Sequence, residues 1–95
     1  MYDYNRVLPI GSVVLLKGAN KRLMILGYRR SSANDTSRIY DYCGCTYPEG
    51  FTNPQQTAIF DHDMIDRVIF LGLQNPAQAA FSEKLKVIIE KKMSK

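Results

Sequence analysis

Ser12-Val13-Val14-Leu15-Leu16-Lys17 and Arg22-Leu23-Met24-Ile25-Leu26-Gly27-Tyr28-Arg29-Arg30 are two runs rich in aliphatic residues, separated by the polar break Gly18-Ala19-Asn20-Lys21. Each has a strand's length and a strand's composition. Gly and Asn in the break are turn formers. The pair reads as an antiparallel β-hairpin with a connection of three to five residues. Ahead of it, Leu8-Pro9-Ile10-Gly11 is a turn-like lead-in.

Working outward, Ser31-Ser32-Ala33-Asn34-Asp35-Thr36-Ser37 is small and polar and reads as an exposed loop. A third strand follows over Arg38-Ile39-Tyr40-Asp41-Tyr42-Cys43-Gly44-Cys45. Its period of two sets Tyr40 and Tyr42 on one face and Ile39, Asp41, Cys43 and Cys45 on the other. The presence of Asp41 among the second set suggests that the tyrosine face turns inward. A long loop over residues 47–56 carries two prolines and a glycine. Thr57-Ala58-Ile59-Phe60 is a short fourth strand, Asp61-His62-Asp63-Met64 a turn, and residues 65–73 a fifth strand. Asn75 is then placed to cap a helix that opens on Pro76 and runs to about Met93. Ala77, Ala80, Phe81, Leu85, Ile88 and Ile89 give that helix one apolar stripe.

The expected fold is therefore mostly β (α+β): a small bent antiparallel sheet or an SH3-like barrel of about five strands with a C-terminal helix. The whole chain, 1–95, reads as a single domain, with a β core over about 8–73 and the helix over about 76–93. A chain of 95 residues has no room for a second domain. Its 45% apolar and 23% charged residues are the balance of an ordinary globule. No apolar run approaches the roughly 18 residues of a membrane span, and no secretory signal peptide is read at the polar N-terminus.

Three groups of residues are candidates for chemistry. Asp61, His62, Asp63 and Asp66 have donors suited to a cation, but acidic residues are also what a turn between strands contains. Cys43 and Cys45 are too few and too close for a disulfide framework, and with His62 they fall short of a four-ligand zinc site. They read as reduced strand thiols, and no cofactor or metal is expected. The second group is basic. Lys17, Lys21, Arg22, Arg29, Arg30 and Arg38 surround the first three strands of a chain with net charge +4, and Lys84, Lys86, Lys91, Lys92 and Lys95 on the helix carry most of that excess. The first hairpin also has a KOW-like look, so a small basic barrel binding RNA or DNA is the alternative function. The third group is aromatic: Tyr40, Tyr42, Tyr47 and Phe51 flank Pro48-Glu49-Gly50. Aromatic residues on a proline-stiffened loop bury much area at low entropic cost, which suits protein contact. No phosphate-binding glycine loop, nucleophile elbow or Ser/His/Asp constellation is present, so an enzyme is not expected.

Four blocks together resemble a known family: residues 8–16, residues 23–28, Tyr40-Asp41-Tyr42-Cys43-Gly44 with Tyr47-Pro48-Glu49-Gly50-Phe51, and Phe60-Asp61-His62 with residues 65–72. They are similar to a small domain-of-unknown-function family of Gram-positive bacteria, encoded in type VII (ESX-like) secretion loci beside LXG polymorphic toxins. The resemblance implies a non-enzymatic targeting factor or chaperone that binds the N-terminal LXG region of a toxin, together with a small helical WXG100-like protein. It implies a cytoplasmic location, with co-export alongside the toxin left open. The family's loop corresponds to Tyr47, Pro48, Glu49, Gly50 and Phe51. The expected partner-binding set is these five with Tyr40 and Tyr42.

Overall fold

β1 (Val13–Leu16) and β2 (Leu23–Ser32) pair antiparallel, with Val13 opposite Met24 and Val14 opposite Leu23. The hairpin read from the sequence is thus present in the computed structural model, which describes residues 7–32 and 35–93. Its connection, residues 17–22, is a little longer than expected. The Lys17 N–H turns away to the Met64 carbonyl, 2.9 Å distant, and the Ala19 N–H closes back on the Leu16 carbonyl.

β3 (Asp35–Thr46) continues the sheet beside β2, with Tyr28 opposite Tyr42 and Arg30 opposite Tyr40. The polar segment read as a loop over residues 31–37 is largely strand. Ser31 pairs with Ile39 and Ser32 with Asp35. Once the ladder is set by the tyrosine pair, small polar residues extend it at little cost on a solvated ribbon. Residues 33 and 34 lie outside the described part. β4 (Ala58–Phe60) adds to the far side of β3, and β5 (Ile65–Phe70) pairs with β1, giving the order β4-β3-β2-β1-β5.

That order has a geometric consequence. Five residue steps join Phe60 to Ile65 and span at most about 18 Å when extended. The two edges of a flat five-stranded sheet would be about 19 Å apart. Residues 62–64 are also wound into a 3-10 turn, which shortens the reach further. The sheet must therefore curl until its edges approach each other. It stays an open, bent antiparallel sheet, the first of the two architectures expected, with no ladder joining β4 to β5 among the described residues.

The core lies inside the curl and comprises Leu8, Val14, Leu23, Ile25, Tyr42 and Phe60, joined by Val7 and Leu85. Phe81, Tyr28, Tyr42 and Phe60 form a chain of ring contacts 5.5–5.9 Å apart, linking the helix to three strands. The lead-in is itself core. Tyr28 donates its hydroxyl to the Leu8 carbonyl at 2.5 Å, and the Leu8 N–H donates to the Tyr42 hydroxyl at 3.1 Å. Both polar groups of a fully buried residue are thereby satisfied.

α1 (Pro76–Met93) starts where Asn75 marks it: the Asn75 Oδ1 accepts the Gln78 N–H at 2.8 Å. Its contact with the sheet is narrower than the stripe read from the sequence. Leu85 is buried, but Ala77 and Ala80 are exposed and Phe81 and Ile88 are about half exposed. Ile89 lies outside the side chains described. Ser82 takes the central place, buried and hydrogen-bonded through its hydroxyl to the Val7 carbonyl. A small side chain that satisfies a buried carbonyl lets the helix sit close, so hydrophobicity alone misjudges the seam. No helix among the described residues is long and apolar enough to cross a membrane.

Candidate functional site

The connection between β3 and β4 folds back under several restraints. The Tyr47 N–H reaches the Arg22 carbonyl at 2.9 Å, and the Gly50 N–H closes on the Thr46 carbonyl at 2.8 Å. The Tyr47–Pro48 peptide is cis, and Gly50 sits at φ +80, a conformation that favours glycine. Lys21 donates to Glu49 at 2.8 Å and ties this loop to the β1–β2 connection. The hydrogen bond from Lys21 holds the Glu49 carboxyl below its ordinary range. The loop so bonded presents two aromatic side chains, Tyr47 at 47% and Phe51 at 57% exposure.

The expected partner-binding residues divide in two. Tyr47, Pro48, Glu49 and Phe51 are exposed together, with Gly50 half-buried between them. Tyr40 and Tyr42 do not join them. Tyr40 is half-buried, with the Arg38 guanidinium 4.4 Å over its ring. Tyr42 is only 1% exposed, stacked on Phe60 and hydrogen-bonded to Leu8. The inward turn of the tyrosine face, read from the sequence, is what takes Tyr42 out of the surface.

That turn also leaves the opposite sheet face outward. There, Leu26, Gly27, Cys43 and Ile59 form the floor of an open groove of about 760 Å³. Phe51, Pro54 and Thr57 wall it on the loop side, and Arg30, Ser31 and Ser32 on the other. Gly27 lies opposite Cys43 in register and deepens the floor, since a Cβ there would stand 3.4 Å from the Cys43 sulfur. Burial raises the Cys43 thiol pKa above its ordinary value, Arg30 pulls it partly back, and Cys45 adds a smaller push upward. The groove residues were missed because a floor drawn from three strands is not a linear pattern. The available signal was the second parity of β3, which assigns Cys43 to the outward face.

Of the acidic cluster, Asp61 and His62 are engaged within the fold. Asp61 accepts Arg38 at 2.8 Å through one oxygen and the Asp41 N–H at 3.1 Å through the other. Asp41 in turn accepts the His62 N–H at 2.9 Å. His62 meets the Tyr42 hydroxyl through Nδ1 at 2.6 Å. These bonds brace β3 against the β4–β5 turn. Among the described residues no three His, Cys, Asp or Glu side chains converge as a metal site would require. A second, smaller hollow of about 230 Å³ lies beyond this brace, between Leu8 and β5.

A family model described as a domain of unknown function (DUF4176) matches residues 7–81, which takes in the sheet, the loop, the groove and the first six residues of α1. The chain belongs to that family. The match begins at Val7, the first residue of the buried lead-in, and so treats the lead-in as part of the domain. No curated protein and no solved structure matches the chain.

Proposed function

We propose that this chain is a non-enzymatic accessory protein, a targeting factor or chaperone, that binds the N-terminal LXG region of a type VII secretion toxin and promotes its export. It acts in the cytoplasm, with a small helical WXG100-like protein as a second component of the complex. The resemblance of its sequence blocks to the family of type VII loci supplies the partner class. The observation that carries the reading is the open groove beside the exposed Tyr47 and Phe51.

The floor of this groove suits a helix better than a strand. At the centre of the floor, β3 is paired on both sides, Cys43 lying opposite Gly27 of β2 and Ile59 of β4. A strand laid over that centre would find no free backbone on β3 to pair with. A helix satisfies its own backbone and needs only an apolar bed for its side chains, and LXG regions are long helices. Phe51 is the anchor best placed to fill a space between helix turns.

Co-expression with the toxin encoded beside this chain, followed by pull-down, tests the proposal. The wild type is expected to hold the LXG region, and Phe51→Ala to weaken the complex by about ten-fold or more. Failure to capture the LXG region, with the small helical protein also supplied, contradicts it.

A further inference from the structure

The groove is asymmetric in charge. Eleven residues line it, and Arg30 is the one charged side chain among them. Among the described residues, no carboxylate lines it. Arg30 is exposed, and among the described residues it makes no ion pair. It lines the same groove as Cys43, whose thiol pKa it pulls down against the larger effect of burial. Arg30 thus stands unneutralised at this wall, whereas Lys21 is matched by Glu49 and Arg38 by Asp61.

Resting on the proposed function, we infer that the segment docked in this groove is an acidic amphipathic helix, with a carboxylate at the edge of its apolar face that pairs with Arg30. Its apolar residues lie on Leu26, Cys43 and Ile59 and against Phe51. Its carboxylate meets the Arg30 guanidinium, with the Ser31 hydroxyl beside it as a further donor. A charge-assisted pair at the rim of an apolar bed selects the partner and fixes its register more than it adds affinity. Arg30 is therefore a specificity residue for acidic helices, and an apolar helix without the carboxylate binds less well.

The test uses the full chain and the LXG region of the toxin encoded beside it, titrated at low and at moderate salt. Arg30→Ala is expected to weaken binding by about 3- to 10-fold at low salt and to flatten the salt dependence. Arg22→Ala removes the same charge outside the groove and is expected to leave both unchanged. If the wild type binds, Phe51→Ala weakens it and Arg30→Ala matches the wild type at every salt, the inference is overturned and the proposed function stands. If the wild type does not bind the LXG region, both fall. Binding of generic single-stranded RNA that Arg30→Ala abolishes, with no binding of the LXG region, also overturns both and points to phosphate as the ligand.

Discussion

Tyr42 shows how one side chain settles the inside of this sheet. Its ring stacks on Phe60, while its hydroxyl receives the Leu8 N–H and meets His62. Tyr42→Phe keeps the ring and orphans a buried N–H. It is expected to cost about 1–3 kcal/mol in denaturant unfolding. Gly44 is constrained from the opposite direction. A Cβ there would stand 2.6 Å from the Met24 carbonyl oxygen, so β2 and β3 cannot keep their spacing. Gly44→Ala is expected to destabilise by about 1–3 kcal/mol, a fall in melting temperature of roughly 4–8 °C for each kcal/mol in a domain this small. The period of β3 already separates Tyr42 from Cys43, but it does not separate Tyr42 from Tyr40. That distinction comes from Phe60 and Leu8, which are remote in sequence and close in space.

Cys43 gives the outward face a reporter. Because its thiol pKa is raised, less thiolate is present at neutral pH than for an unperturbed cysteine. Alkylation of Cys43 is therefore expected to be slow at neutral pH and to keep accelerating above the usual thiol range. Arg30 favours the thiolate, so Arg30→Ala is expected to slow the reaction further. Cys45, at 1% exposure, serves as the internal control that does not react in the folded state. A pH–rate profile by mass spectrometry checks both signs.

Among the elements, the hairpin, the third strand and the helix are legible because each carries a local signature: β-branched runs, alternation, or an Asn-Pro start. The Asn75 cap is the clearest case, since its side chain bonds three residues ahead as the pattern requires. Asn75→Ala is expected to cost about 1 kcal/mol of stability, and Asn75→Ser to restore most of it, measured by thermal unfolding. The extension of β2 and β3 through Ser31, Ser32 and Asp35 was not legible. Their composition favours turns, and cross-strand pairing overrode it. The helix seam failed for a related reason. Which residues of an amphipathic helix touch the body depends on the surface they meet, and here that surface offers a carbonyl to Ser82.

At the scale of the whole molecule, one topological fact joins fold to function. A four-residue link between the two edge strands forces the sheet to curl, and the curl gives it two unlike faces. The inner face closes over the aromatic chain, the lead-in and Leu85. The outer face keeps a groove with an apolar floor, an aromatic loop on one side and an unmatched arginine on the other. Neither the groove nor its charge was visible in the sequence, because most of the net charge of +4 falls in the terminal helix and says nothing of Arg30. The loop that walls it was legible, since Tyr47-Pro48-Glu49-Gly50-Phe51 is a contiguous block.

The most direct measurement is the protection of Cys43 from alkylation when the LXG region is bound. A helix lying in the groove covers the Cys43 sulfur, so the expected result is a marked slowing of Cys43 modification in the complex, with Phe51→Ala restoring the rate of the free chain at the same partner concentration. A stable complex in which Cys43 reacts as fast as in the free chain would contradict the assignment of the groove as the docking site.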